Sequence, residues 1–491
     1  MRSAYTVEAV RHAEAQLMAR LPEGALMQRA AAGLAAACAR VLGRVYGARV
    51  VLLVGSGANG GDALFAGARL ARRGAGVTAV PLAPGRTHPA GLAALLKAGG
   101  AVAEDPFDAL AGADLVVDGI TGIGGHGGLR PDAVPLARAA RGSDAVVVAV
   151  DLPSGVEADT GEVPGEALRA DLTVTFGTHK PALLVDPARE YAGAVHLVDI
   201  GLGDELPSVP ALEALQHADV ARMLPLPAAE SDKYRRGVVG VVAGSARYPG
   251  AAVLAVAGAL RGGAGAVRYV GPGAAAVIAR FPECLVSTGR PGEAGRVQSW
   301  VVGPGIGEMR EGVREVLASD VPVLVDADGL RLLEVSEVRD RTAPTLLTPH
   351  AGEAAALLGC AREEVEAGRL TAARELAARY GATVLLKGST TLVAAPDGGR
   401  SPVRVNPMGT PWLATAGSGD VLSGLAGSLL AAGLGARDAG SAAAYLHGLA
   451  ARLASARGVP LTAQEVAAAL PAAWRGVRDP HGAEPPEPDR S

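Results

Sequence analysis

The hydrophobic positions of this chain form two successive series of short apolar runs, most of them closed by glycine, aspartate or serine. Ahead of them, residues 7–46 carry apolar side chains at helical spacing: Ala9, Ala13 and Leu17, then Leu26, Met27, Ala31, Leu34 and Ala35. The first series lies at 50–54, 115–117, 145–150, 172–176 and 195–198, separated by alanine-rich stretches of helical length such as 61–73 and 89–98. Unbroken aliphatic runs predict strands buried on both faces, and their alternation with helices predicts a parallel sheet. Residues 203–210 are polar and proline-rich and break the pattern, which marks a linker. The second series follows at 238–242, 267–270, 300–302, 321–325, 345–347, 383–386 and 391–394, and ends in long alanine-rich helices. The expected fold class is α/β, with two three-layer α/β/α domains at 1–210 and 211–491 and ligands at the carboxyl ends of the strands. Residues 480–491, charged and proline-rich, are expected to form a disordered tail.

Composition narrows the class. The 491 residues are 49% hydrophobic and 20% charged, and a formal net charge of −4 leaves no basic surplus for nucleic acid. No apolar run reaches the roughly 18 residues that span a bilayer, and the N-terminus lacks an export pattern, so a cytoplasmic protein is expected. Cys38, Cys284 and Cys360 are too scattered for a disulfide framework or a cysteine zinc site. Only four of the 46 basic residues are lysine (Lys97, Lys180, Lys233, Lys387), and asparagine occurs only as Asn59 and Asn406. Where arginine is written almost everywhere, lysine is kept either by chance or where a compact ammonium is required. Three of the four, with both asparagines, fall inside glycine-rich or strand-end motifs, which favours the second.

The candidate chemistry lies at strand ends. After the first run comes Gly55-Ser-Gly-Ala58-Asn59-Gly60-Gly61-Asp62, a turn able to bring backbone N–H groups to a phosphate. Asp118 closes the second run and precedes Gly122-Ile123-Gly124-Gly125-His126-Gly127-Gly128, and Asp151-Leu-Pro-Ser154 closes the third. Two aspartates with an asparagine and a serine on neighbouring loops supply hard oxygen donors for a cation, although helix capping is the commoner use of each aspartate alone. In the second series, Ala416-Gly417-Ser418-Gly419-Asp420 opens an apolar helix whose free amides and dipole favour a phosphate. Asp420 would then take a proton from a hydroxyl attacking phosphorus; a glycine-rich turn with an aspartate cap is the alternative.

Taken together, the motifs carry a resemblance. Asn59-Gly-Gly-Asp62, Asp118-Gly-Ile-Thr-Gly122, Asp151-Leu-Pro-Ser-Gly155, His179-Lys180-Pro181 and Val198-Asp-Ile-Gly201 occur in the order of the NAD(P)H-hydrate epimerase domain, which residues 1–205 resemble. Lys233-Tyr-Arg-Arg-Gly237, Gly244-Ser245, Gly303-Pro-Gly305-Ile-Gly307, Asp326-Ala-Asp328, Thr348-Pro-His350-Ala-Gly-Glu353, Leu386-Lys387-Gly388 and the 417–420 loop are similar to the ADP-dependent NAD(P)H-hydrate dehydratase. The resemblance implies a Rossmann-like first domain and a ribokinase-like second one in a bifunctional nicotinamide nucleotide repair enzyme.

For the first domain it implies that Asn59, Asp118 and Ser154 hold a potassium ion. Ala58, Asn59, Gly60, Gly61, Asp62, the 122–128 loop and Asp151 would contact NADH hydrate or NADPH hydrate. Asp151 is the candidate for moving a proton near C6; Lys180 orients substrate or pairs with an acid. For the second domain it implies phosphorylation of the C6 hydroxyl by ADP with magnesium, followed by loss of phosphate. Asp420 would be the base and the amides of Gly417, Ser418 and Gly419 the phosphoryl cradle. Lys387, Gly388, Ser389, Thr390, Thr391, Thr410 and Ala416 would hold ADP, and Ala251, Gly305 and His350 the substrate. A strand-end histidine satisfied by backbone is the other reading of His350. Asn406 binds magnesium or nucleotide, or starts a turn before Pro407. The chain departs from the family at Ala58 and Ala63, where asparagine and glycine are usual, and at Trp412 and Leu413, where glycine and methionine are usual. A homo-oligomer is expected. The competing function is a vitamin-precursor kinase of the ribokinase-like group fused to a non-catalytic nucleotide-binding module.

Overall fold

The computed structural model describes residues 1–479 and divides into two compact units, residues 3–212 and residues 1–2 with 213 onward. The tail expected at 480–491 lies outside the described residues. In the first unit a seven-stranded sheet runs Ala101–Val102, Gly76–Pro81, Arg49–Val54, Leu115–Gly119, Val146–Val150, Leu172–Phe176, Ala194–Val198 in space. Numbered along the chain, this is the order 3-2-1-4-5-6-7, with the neighbouring strands parallel. The order reverses between Arg49–Val54 and Leu115–Gly119, and such a reversal opens a crevice at the carboxyl ends. The central strands Arg49–Val54, Leu115–Gly119 and Val146–Val150 are largely aliphatic because both faces are covered. Leu52 and Val117 enter the core shared with helices Ala25–Leu42 and Ala58–Ala71, while Leu53 and Val116 enter the core beside helix Val134–Gly142.

The second unit holds an eleven-stranded sheet. Its parallel part runs Leu285–Ser287, Ala266–Val270, Val238–Val242, Ser299–Val302, Val323–Val325, Thr345–Leu347, Thr383–Leu386, again 3-2-1-4-5-6-7 in chain order. Thr391–Ala394 and Val403–Asn406 then add antiparallel. Helix Ser418–Ala431 lies buried against this sheet and against helix Pro249–Arg261.

Two α/β layered units match the expected class. Several strands were not marked by the pattern: Gly76–Pro81, Ala101–Val102, Leu212–Ala214, Leu285–Ser287 and Val403–Asn406. Most are short or partly exposed, so their apolar positions are too few to form a run. The helical stretch 7–46 resolves into Val7–Met18 and Ala25–Leu42, and the linker contains a single 3₁₀ turn at Gly203–Glu205. Among the described residues no helix is long and apolar enough to cross a membrane.

Candidate active sites

At the reversal in the first unit, the turn after Arg49–Val54 enters helix Ala58–Ala71 directly. Close approach requires glycine here: a Cβ on Gly60 would stand 2.2 Å from the Gly55 carbonyl oxygen, and one on Gly122 2.4 Å from the Asn59 amide. Asn59 Nδ2 donates to Val150 O (2.6 Å) and Thr121 O (3.3 Å), so one side chain ties neighbouring strand ends together. The fully buried Asp118 accepts from Ser154 Oγ (2.6 Å), Ser154 N (2.8 Å) and Ile120 N (3.2 Å). Burial pushes its pKa up to about 6 despite these three hydrogen bonds.

Asp151 adopts φ 68°, a left-handed conformation rare outside glycine and typical of strained functional positions. Its Oδ1 accepts from Lys180 Nζ at 2.5 Å and Thr175 Oγ1 at 2.9 Å. Lys180 is almost wholly buried and also donates to Phe176 O (3.1 Å), so of its two readings the pairing with an acid is realised. Asp62 is buried nearby, with no hydrogen-bond partner for Oδ1. Burial, then the charges of Asp151 and Glu14, hold its carboxyl well above the usual range. Glu14, on helix Val7–Met18, is also raised by burial, with Lys180 opposing and Asp151 adding. Nothing in the local sequence marks Glu14, because it sits within an amphipathic helix rather than at a strand end. The exposed His126 pairs with Glu157 Oε2 (2.8 Å), whose other oxygen accepts from Gly127 N (2.7 Å). With Glu8, Arg11 and Asp159 it lines a cavity of about 380 Å³.

In the second unit Gly417 takes φ 85° and caps helix Ser418–Ala431, a backbone geometry that favours glycine. Ser418 Oγ donates to Leu413 O (2.8 Å), and Ser418 O faces His447 Nε2 at 2.9 Å, so the loop is held from two sides. Burial pushes the His447 pKa down to about 4, which keeps that ring neutral near pH 7. Asp420 lies in the first turn of the helix; burial pushes its pKa up to about 7, Asp326 reinforces the shift and Lys387 opposes it. Lys387 Nζ donates to Asp326 Oδ1 (2.7 Å), lies 3.8 Å from Glu353 Oε2, and would stand 3.5 Å from a Cβ placed on Gly419. A poised carboxylate and an ammonium thus share the mouth of an amide-rich helix terminus, the parts that phosphoryl transfer needs.

Gly305 and Ala251 form one wall, since a Cβ on Gly305 would stand 2.8 Å from that of Ala251. His350 caps helix Ala351–Leu358: its Nδ1 accepts from Glu353 N (3.1 Å) and its backbone N donates to Glu353 Oε2 (2.8 Å). The ring stays exposed, so the local cap and a place on a pocket rim are compatible. Asn406 Oδ1 accepts from Met408 N (3.3 Å), which is the turn-starting arrangement. Thr410 Oγ1 caps the turn Pro411–Leu413, and Trp412 is exposed beside it. Two arginines brace the turns at 387–390 and 408–409 and were not singled out in the sequence. Buried Arg369 donates to Lys387 O (3.0 Å) and Thr390 O (3.1 Å), and Arg452 donates to Met408 O (2.7 Å) and Gly409 O (3.0 Å). In a chain so rich in arginine, residue type alone could not distinguish them.

Residues 23–182 match the family model described as YjeF-related protein N-terminus, and residues 239–472 the model described as NAD(P)H-hydrate dehydratase. A bifunctional NAD(P)H-hydrate repair enzyme of Mycobacterium leprae is 50% identical over 466 residues, which cover 93% of this chain and 95% of that relative. The chain belongs to the bifunctional NAD(P)H-hydrate repair enzymes. The Escherichia coli member is 35% identical over 424 residues, covering 83% of this chain and 81% of its own. An ADP/ATP-dependent NAD(P)H-hydrate dehydratase from Bacillus subtilis, co-crystallised with ATP and Mg²⁺, is 30% identical with a TM-score of 0.48, covering 53% of this chain and 97% of that one.

The cation that the resemblance implies for the first unit can be tested against the donors present. Ser154 Oγ lies within hydrogen-bond reach of both Asp118 and Thr121 O, with the Asn59 amide adjoining. A buried carboxylate whose charge is offset only by hydrogen bonds, among uncharged oxygens, fits a weakly demanding monovalent ion such as potassium. Among the described residues no group of three or more His, Cys, Asp or Glu is placed to hold a metal ion. In the second unit Asp326 is engaged by Lys387 and Ser423, so a magnesium ion there would be held chiefly by nucleotide phosphates.

Proposed function

We propose that the first unit interconverts the R and S forms of NADH hydrate and NADPH hydrate, and that the second returns the S form to reduced nucleotide at the expense of ADP. The observation that carries this reading is the placement of Asp420 in the first turn of helix Ser418–Ala431, with the Lys387 ammonium held by Asp326 against the Gly419 backbone; burial pushes the Asp420 carboxyl up to about 7. Hydroxide is a poor leaving group and phosphate a good one. Asp420 takes the proton from the C6 hydroxyl as that oxygen attacks the β-phosphorus of ADP and AMP leaves, and the amides of Gly417, Ser418 and Gly419 with the Lys387 ammonium receive the phosphoryl charge. The C6–O bond of the phosphate ester then breaks, phosphate departs and a proton is lost from C5, restoring the reduced ring. ADP lies along Lys387, Gly388, Ser389, Thr390, Thr391, Thr410 and Ala416, and the substrate against Ala251, Gly305 and His350.

In the first unit Asp151, oriented by Lys180 and Thr175, moves the proton at C6, with residues 58–62 and the 122–128 loop around the nucleotide. Potassium, held by Asn59, Asp118 and Ser154, would supply a fixed positive charge there. This assignment places the protein in the cytoplasm, among the dinucleotides it repairs. A vitamin-precursor kinase would account for the second site but leaves the first unit without a task. The test follows reduced-nicotinamide absorbance while the full chain acts on mixed hydrate epimers with ADP. Complete recovery supports both activities, recovery of only the S fraction supports the dehydratase alone, and no recovery overturns the assignment.

A further inference from the structure

Three parts of the second unit meet at one carboxylate. Asp326 follows strand Val323–Val325 and is 1% exposed; the next residue, Ala327, takes φ 50°, so the chain turns sharply through a non-glycine left-handed position. Oδ1 accepts from Lys387, which follows strand Thr383–Leu386, and Oδ2 accepts from Ser423 Oγ at 2.6 Å. Ser423 lies one turn along the same helix as Asp420. Asp326 therefore fixes the ammonium to the helix that carries the base.

We propose that Asp326 is a positioning residue of the dehydratase: anchored by Ser423, it aims the Lys387 ammonium at the Gly419 end of the helix, and its charge sets when Asp420 can act as base. The inference rests on the dehydratase reading of this site. Geometry carries the anchoring. Without Asp326 the carboxylate left near Lys387 is Glu353, at 3.8 Å, so the ammonium is no longer fixed against the Gly419 end of the helix. The charges facing Asp420 are Asp326, Lys387, Asp328 and Glu353, of which Asp326 contributes most to keeping its proton on; His447, behind Ser418, is neutral near pH 7.

The experiment compares kcat against pH for the full chain and for Asp326→Asn and Ser423→Ala, with S-form hydrate and saturating ADP. Asp326→Asn should lower plateau kcat about tenfold or more and raise the KM for ADP by a smaller factor, as expected for a Lys387 contact that strengthens in the transition state. Its acid limb should move to lower pH by at least about half a unit, because a repelling charge is gone. Ser423→Ala keeps the charge and should slow turnover without moving the limb. An unmoved limb in Asp326→Asn, or an equal displacement in Ser423→Ala, overturns the proposal. If Asp326→Asn turns over too slowly, the Asp420 carboxyl can be titrated by carbon-13 NMR, assigned by its loss in Asp420→Asn, and the same displacement is required. Failure of the unmodified chain to dehydrate the S form would overturn the dehydratase reading and this proposal with it; an unmoved limb in an active chain overturns this proposal alone.

Discussion

At the scale of the residue, the role proposed for Asp420 sets reactivity against stability. A base must be ionised, so dehydratase kcat should rise with pH through about 7 and level above it, which a pH profile with S-form hydrate checks. Asp420→Asn should abolish recovery of reduced nucleotide while leaving ADP binding within about twofold by calorimetry, because binding relies on amides and Lys387. Loss of ADP binding as well would make Asp420 structural instead. The stability consequence has a definite sign. The folded pKa lies above the ordinary 3.8, so the carboxyl's stabilising contribution is complete below that value and is lost as pH rises through about 7. Asp420→Asn should therefore raise the unfolding temperature at pH 8, by a contribution on the order of a few kcal/mol, and the gain should shrink as pH falls toward 4. A variant that is inactive yet more stable distinguishes a poised base from a cap, whose removal destabilises.

At the scale of the element, the two sheets show what the chain makes legible. Central strands such as Val238–Val242 and Val146–Val150 are buried on both faces and read as continuous aliphatic runs. Ala101–Val102 is two exposed residues and Leu285–Ser287 is largely exposed, so neither leaves a hydrophobic signature. The common 3-2-1-4-5-6-7 order explains why the loops at 55–62, 118–128 and 151–155, and those at 244–245 and 303–307, converge: they follow the strands at their unit's strand-order reversal or the strand next to it. What stayed hidden were contacts made by ordinary residue types across long separations, such as Glu14 near Lys180, or Arg369 on the 387–391 turn. The site loop also depends on packing that sequence barely hints at. A Cβ on Gly424 would stand 1.9 Å from Ala255 O, and one on Gly258 2.1 Å from Val421 O, so helices Ser418–Ala431 and Pro249–Arg261 touch backbone to backbone. Gly424→Ala should push them apart and destabilise the second unit by about 1–3 kcal/mol or more. Thermal unfolding should show one transition lowered, with dehydration impaired and epimerisation by the first unit retained.

At the scale of the whole molecule, each proposed chemistry is complete within its own unit: Asp151, Lys180, Asp118 and Ser154 belong to residues 3–212, and Lys387, Asp326, Ser423 and Asp420 to the other. Neither constellation needs a residue from the other, so a hydrate epimer released by one can be used by any copy of the second. Asp151→Asn should halt recovery from mixed epimers once the S form is consumed, after which absorbance creeps up at the spontaneous epimerisation rate. Asp420→Asn should epimerise pure R hydrate to the equilibrium mixture and regenerate nothing. Mixing the two variants should restore complete recovery at a rate that increases with the concentration of the Asp420→Asn partner, as expected when epimerisation is supplied through solution. Recovery that stays at the S fraction in the mixture would mean that hydrate must pass within one molecule, or that Asp420→Asn has damaged the epimerase. Pure R hydrate separates these outcomes: given R alone, Asp420→Asn should reach the equilibrium mixture well ahead of the spontaneous rate.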